Sequence, residues 1–563
     1  MSLETLQKKL KKQKLNAFVV PHNNLFLGQD ILDEENLILQ LSGFSGSAGM
    51  LIVTPEKSYL LVDGRYELQA PQQTAGKNIE TVCLRPYTPT AWLNQHFAGQ
   101  KVGYNPWRLS AAQTAKLTEP KLIADSELLP LSLSDRNATL FEHKIEYCGQ
   151  SATQKIAQLC QWLQQKNLDS VFISAADSVS WLFNLRSDAL PETPIFRGFA
   201  IVEQSGRFHL FADNIDTSKL GFDLKIHTLS DIEKYLKKYK KQTMAFDFNV
   251  TPAAIIALAE QNKIAICCQP DFCQTLKAVK NDCELQGIRQ AHIRDGVAMC
   301  KFLHWLDSNW HGKTELDIVA KLHDFRSRQP LFVSESFATI AAYGSNGAIV
   351  HYSPTPQTNA KLTGDNLLLL DSGGQYLDGT TDITRTIALG SPSVAMINDF
   401  TLVLKSHITL SCTVFPEATT GSRLDAIARR PLWLEGKDYN HGTGHGVGCF
   451  LNVHEGPVSI STAADKPLGL HAVTSIEPGY YLEGQYGIRI ENLVEVCATE
   501  QPNFLRFQNL TMVPIDKRAI NKYLLSESEI AWLNSYHQTV FETISPHLTV
   551  AEKQWLSEAC APL

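Results

Sequence analysis

Leu367-Leu368-Leu369-Leu370-Asp371-Ser372-Gly373-Gly374-Gln375-Tyr376-Leu377-Asp378-Gly379-Thr380-Thr381-Asp382-Ile383-Thr384-Arg385-Thr386 is the stretch on which the reading of this chain turns. Its apolar run predicts a buried strand ending in Asp371, Asp378-Gly379 predicts a turn, and the Thr-rich alternation predicts a second strand carrying Asp382. A hairpin of this size sets Asp371 and Asp382 side by side. Two such carboxylates repel, so one is protonated or a cation sits between them. Taken alone, aspartates at strand ends are ordinary turn chemistry.

Two later segments carry matching chemistry. In His441-Gly442-Thr443-Gly444-His445-Gly446-Val447-Gly448, followed by Asn452-Val453-His454-Glu455-Gly456-Pro457, glycines on both sides of His445 let the backbone pack closely and leave the imidazole accessible as a ligand. The rival reading, a phosphate-cradling loop, lacks the Lys-Ser/Thr of a P-loop. Ser475-Ile476-Glu477-Pro478-Gly479-Tyr480-Tyr481 and Gly487-Ile488-Arg489-Ile490-Glu491-Asn492 complete the set, with Ile488 and Ile490 on one strand face and Arg489 and Glu491 on the other. By themselves, a Glu before Pro-Gly is a turn and a Glu beside Arg is a salt bridge.

The rest of the chain bounds the answer. Its 563 residues allow two to four domains. With 44% hydrophobic and 19% charged residues, disorder, collagen and coiled coil are excluded. The formal charge of −7 gives no global support to nucleic-acid binding through phosphate neutralisation. Twelve cysteines without a C-x-x-C pair suit neither a disulfide scaffold nor a zinc ribbon. The start of the chain reads as an amphipathic helix, with Leu3, Leu6 and Leu10 against Lys8, Lys9, Lys11, Lys12 and Lys14, running into strand Phe18-Val19-Val20. It lacks the apolar run and small residues of a signal peptide, and no window approaches the length of a membrane span. A cytoplasmic location with no membrane partner is therefore expected, and the lysines read as a solvated face.

The first half shows a weak internal repeat. Leu15 to Val20 is echoed by Leu168 to Ile173, and the strand pair Met50–Val53 and Tyr59–Asp63 by Phe199–Val202 and Phe208–Asp213, at offsets of about 150. Matching order at matching offset predicts two related α/β domains, with a boundary near 147. A second boundary near 277 precedes a long helical pattern through Leu285, Ile288, Ile293, Val297, Ala298, Phe302, Leu303 and Leu306. The expected domains are 1–147, 148–277 and 278–563.

Together the segments resemble the metal-ligand pattern of the pita-bread metallopeptidases: Asp371, Asp382 eleven residues on, the Gly-flanked His445, Glu477 before Pro-Gly, and Glu491 fourteen residues further. The fold implied is α/β (α+β), two creatinase-like N-terminal domains before a pita-bread catalytic domain. The resemblance is closest to the cytosolic Xaa-Pro aminopeptidase (aminopeptidase P) branch. It extends over Ser42–Gly49, Asp63-Gly64-Arg65-Tyr66, Ser180–Arg186, Asn346–Tyr352 and the tail around Ala531–His537.

The resemblance implies two divalent cations, manganese, with zinc or cobalt as alternatives. Asp371 would hold one, His445 and Glu477 the other, and Asp382 and Glu491 both. Oxygen-rich donors without thiolate suit such metals, and a pair of them makes hydroxide available from water at neutral pH. It further implies that His351 assists proton transfer and holds the tetrahedral intermediate, that His454 contacts the substrate carbonyl or its oxyanion, and that His441 faces the proline side. Glu477 would relay a proton to the leaving imino nitrogen, Arg489 would orient the bridging Glu491, and Asp378 would be a turn residue. The implied reaction is hydrolysis of the bond between an N-terminal residue and a following proline, in a homodimer joined through the catalytic domain. The alternatives are an Xaa-Pro dipeptidase (prolidase), which uses the same ligands, and a peptide-binding pseudoenzyme on the same fold.

Overall fold

The computed structural model describes residues 1–84, 88–131 and 133–563. Its contacts divide the chain into two units, 1–145 with 150–190 and 194–273, and 146–149 with 191–193 and 274–563.

The first unit contains two six-stranded sheets built on one plan. The spatial order in the first is Ile79–Cys83, Ser58–Val62, Met50–Val53, Ala17–Pro21, Lys101–Tyr104, Lys121–Ala124. In the second it is Ile226–His227, Phe208–Phe211, Phe199–Glu203, Ser170–Ile173, Thr243–Phe246, Ala265–Cys268. Position by position the pairing senses agree: one parallel pair, two antiparallel, then two parallel. The segments matched in the sequence repeat occupy corresponding places in the two sheets. Helix Leu3–Gln13 is capped by Ser2, buries Leu6 and Leu10, and turns its lysines to solvent.

In the second unit the long apolar pattern forms helix Asp282–Asn309, opened by an Asn281–Glu284 capping box. It buries the predicted positions except Ile293, which is half-buried. Three sheets then position the site. Asn366–Ser372 is the middle strand of one, flanked by Ile340–Tyr343 and Ile383–Leu389. The pair Gly479–Leu482 and Tyr486–Arg489 forms another. A six-stranded sheet runs Val414–Pro416, Phe504–Asn509, Asn492–Ala498, Val473–Ile476, Gly444–Gly446, Glu455–Ile460. Among the described residues no helix is long and apolar enough to cross a membrane.

The predicted Asp371–Asp382 hairpin is more elaborate than a single turn. Its long strands pair antiparallel, with Asp371 opposite Thr384, and Asp382 lies just before the second strand rather than within it. Between them Gly374–Tyr376 and Gly379–Thr380 form their own small sheet with Phe332–Glu335. Asp378 sits in that turn as expected, and it also pairs with Arg294 of the long helix.

Candidate metal centre

Asp371, Asp382, Glu477 and Glu491 stand at strand ends, and His445 is the middle residue of Gly444–Gly446. Strand ends suit a site because side chains there can converge while the ladder keeps the backbone rigid. The glycines beside His445 are required by packing. A Cβ on Gly444 would lie 2.0 Å from the Ser475 carbonyl oxygen, and one on Gly446 would lie 2.3 Å from that of Glu455.

Ligand atoms of Asp382, His445 and Glu491 all lie within 4.8 Å of one another. His445 Nε2 is 3.5 Å from both Asp382 Oδ2 and Glu477 Oε1. Because His445 Nδ1 lies 3.0 Å from the Gly446 carbonyl, which only accepts, the proton belongs on Nδ1 and the Nε2 lone pair faces the carboxylates. Ser475 Oγ fixes the arrangement twice, accepting from His445 N at 2.9 Å and donating to Glu477 Oε1 at 3.1 Å.

Arg489 is the cation already present. Its Nη2 donates to Asp371 Oδ2 at 2.6 Å, its Nη1 to Tyr481 OH at 2.7 Å and Val350 O at 3.3 Å, and its Nε to Thr384 Oγ1 at 3.1 Å. Thr384 Oγ1 in turn donates to Glu491 Oε2 at 2.8 Å. The expectation that Arg489 orients Glu491 is therefore corrected. Arg489 ends strand Tyr486–Arg489 and Glu491 lies beyond it, so the expected shared strand face does not form; the guanidinium crosses to Asp371 and reaches Glu491 through Thr384.

One guanidinium does not balance four carboxylates. Burial, and then the charges of Asp371 and Glu477, push the Asp382 carboxyl well above the usual range. Burial followed by Asp382, Glu477 and Asp371 does the same to Glu491. Burial also raises Glu477, although His445 and Arg489 pull it back. Asp371 Oδ1, Asp382 Oδ1 and Glu491 Oε1 are buried and make no hydrogen bond. Buried oxygens without donors, on acids that repel one another, are an arrangement that cations relieve. The residues fit a site for divalent cations.

The three further histidines stand in different relations to this cluster. The His454 ring centroid lies 4.3 Å from that of His445. His441 holds its Nδ1 proton against Gly442 O at 2.7 Å and accepts at Nε2 from Tyr481 OH at 2.8 Å. A relay thus runs from Arg489 through Tyr481 to His441, and burial pushes the Tyr481 phenol up to about 12 against the pull of Arg489. His351 lies half-buried on the turn after Gly344–Ala348, next to the Val350 carbonyl that Arg489 holds.

Sequence reasoning gave Tyr481, Thr384 and Ser475 no role and missed the support under His454. There Glu455 is buried between Lys277 Nζ at 3.0 Å and Lys280 Nζ at 2.6 Å. The sequence signal for Glu455 was its place between His454 and Gly456. The lysines, about 175 residues earlier, gave none.

Comparison with known proteins gives a consistent outcome. Creatinase/Prolidase N-terminal domain models match residues 3–133 and 133–284, the Metallopeptidase family M24 model matches 286–498, and the C-terminal region of peptidase_M24 matches 503–563. A Laccaria bicolor protein named "Probable Xaa-Pro aminopeptidase P" is 36% identical, covering 100% of this chain and 93% of that one. "Aminopeptidase P2" of Arabidopsis thaliana is 35% identical, covering 98% and 86%. Among solved structures, X-prolyl aminopeptidase from Caenorhabditis elegans, described as a cytosolic enzyme with a di-nuclear active site, superposes with a TM-score of 0.90 at 33% identity, covering 98% of this chain and 95% of that one. Xaa-Pro dipeptidase from Bacillus anthracis, at 21% identity and a TM-score of 0.52 over 65% of this chain and 99% of that one, shares the fold.

Proposed function

The chain belongs to the M24 metallopeptidases, in the branch of the Xaa-Pro aminopeptidases P, and on that premise we propose that Asp371, Asp382, His445, Glu477 and Glu491 hold two divalent cations. The enzyme removes an N-terminal residue from a peptide whose second residue is proline. In the proposed centre Asp371 would hold one cation, His445 and Glu477 would hold the other, and Asp382 and Glu491 would serve both. The observation that carries this reading is the convergence of Asp382, His445 and Glu491 ligand atoms beside three buried carboxylate oxygens without donors. Manganese is the metal proposed, since oxygen-rich donor sets accept it readily.

When bound, the cations supply Lewis acidity for the scissile carbonyl and hydroxide from water near neutral pH. The chain's own groups do the rest. Arg489 holds Asp371 in place, and the Nδ1–H contact to Gly446 keeps the His445 Nε2 lone pair available. His454, packed against His445, stabilises the developing oxyanion, and His351 moves the proton and holds the tetrahedral intermediate. Glu477 carries a proton to the leaving imino nitrogen. His441, fixed by Tyr481, borders the proline ring. Proline specificity follows from the substrate: an Xaa-Pro amide has no N–H, so a pocket shaped for the pyrrolidine ring replaces the hydrogen bond other peptidases use.

The reading includes domains at 1–147, 148–277 and 278–563, supported by the two sheets of one plan. It also includes a homodimer through the catalytic domain and a cytoplasmic location, the latter supported by the description of the C. elegans enzyme. Assaying an Xaa-Pro dipeptide beside an Xaa-Pro-Xaa tripeptide tests the specificity. The tripeptide is expected to be cleaved at the Xaa-Pro bond, and cleavage of the dipeptide alone would make the protein a dipeptidase instead.

A further inference from the structure

The C-terminal part of the chain reaches the centre through one buried guanidinium. Arg385 follows Thr384 on strand Ile383–Leu389, so the two point to opposite faces, Thr384 toward Glu491 and Arg385 away from the cluster. Arg385 is 2% exposed. Its Nη1 donates to Glu491 O at 2.6 Å and Thr384 O at 2.9 Å, and its Nε to Pro514 O at 3.1 Å. Its Nη2 donates to Asn492 Oδ1 and Val513 O at 2.8 Å and to Tyr536 OH at 2.9 Å. All six acceptors are neutral. Holding a charge in the interior on neutral acceptors alone is expensive, and the geometry shows what the arrangement fixes.

Glu491 is clamped at both ends of its backbone. Its N–H donates to Thr384 O at 3.1 Å, the oxygen that Arg385 also binds, while its own carbonyl accepts from Arg385. With the peptide held and Thr384 Oγ1 on Oε2, Oε1 is left aimed at the cluster without a donor. Tyr536, on helix Glu527–Ile544, braces the guanidinium from the far side. Its oxygen accepts from Arg385 and donates to Val513 O at 2.8 Å or Thr511 O at 3.0 Å, and its ring stacks on Trp532 at 5.4 Å.

We propose that Arg385 is a positioning residue that fixes the peptide bearing Glu491, and that Tyr536 holds Arg385, so that the C-terminal helix sets the aim of the carboxylate shared by the two cations. This rests on the reading that Glu491 serves both. Lysine at 385 offers three donors on a point charge where arginine offers five in a fork, so it cannot span both Glu491 O and Tyr536.

The test titrates metal-depleted, full-length protein with Mn(II) by calorimetry and records Tm for each variant. Tyr536→Phe and Arg385→Lys are expected to weaken both Mn(II) sites by about 10- to 100-fold, as loss of an outer support of a shared metal ligand does. His537→Leu is the control. It sits on the same helix and loses an equally buried bond, Ile515 N–H to His537 Nε2 at 3.0 Å, because leucine has no acceptor there, and no hydrogen bond joins His537 to Arg385. It should lower Tm and leave both dissociation constants as in the wild type. Unchanged Mn(II) binding in Tyr536→Phe overturns the proposal even if Arg385→Lys fails to fold, and so does an equal loss in His537→Leu. A wild-type protein that binds no Mn(II) refutes the two-cation reading itself and takes this inference with it.

Discussion

Asp382→Asn is expected to lower tripeptide turnover on the order of 10³-fold, the loss corresponding to several kcal/mol of transition-state stabilisation by metal. The same change is expected to raise the Tm of the metal-depleted protein. Asparagine keeps the shape of Asp382 while removing a charge that burial, Asp371 and Glu477 all disfavour. Neutralising a buried charge among like charges relieves their repulsion and its desolvation cost. The pH dependence has a definite sign. Asp382 and Glu491 have folded pKa values above their ordinary ones, so without metal the native state binds more protons than the unfolded state. Their favourable contribution is complete below the ordinary carboxylate range and is lost as pH rises through the raised values. Asp382→Asn should therefore flatten the fall in Tm of metal-depleted protein from mildly acid to neutral pH. A lower Tm together with wild-type turnover would refute the assignment.

Arg489→Met is expected to do the opposite to stability. It removes the donor from a buried Asp371 and from Tyr481, Thr384 and Val350 at once, and breaking a buried ion pair costs about 3–5 kcal/mol. Turnover should fall by about 10- to 100-fold or more, because Asp371 loses its aim. A double-mutant cycle identifies the partner. Asp371→Asn should recover part of the stability lost in Arg489→Met, whereas strict additivity in thermal or denaturant unfolding would mean that the guanidinium is not the counter-charge of Asp371.

These two predictions mark where the sequence was legible. The order of Asp371, Asp382, His445, Glu477 and Glu491 was readable because each has a local context, strand end, turn or glycine flank, that survives as a short string. The repeat was readable because strands recur at a constant offset, and the common order of the two sheets agrees with it. Arg489 was seen but assigned to the wrong carboxylate. Adjacency favoured Glu491, whereas its distance to Asp371 depends on how the strand pair Gly479–Leu482 and Tyr486–Arg489 packs on the 366–372 strand, which no local pattern encodes. Arg385 was hidden for a related reason. Within a Thr-rich strand it looks like a solvent-facing alternate, yet it is buried, and its acceptors lie up to 151 positions away. Lys277, Lys280 and Glu455 likewise meet only through the tertiary fold. Motif chemistry was thus local and visible, while the groups that hold the motif residues in place are long-range and were not.

The most direct test of the two-cation centre is to strip the wild-type protein of metal, add back Mn(II) in known equivalents, and follow hydrolysis of an Xaa-Pro-Xaa tripeptide. Activity absent from the stripped protein and restored in full near two equivalents per chain is the predicted result. Undiminished hydrolysis by protein that holds no metal, or two bound Mn(II) with no hydrolysis, would contradict it.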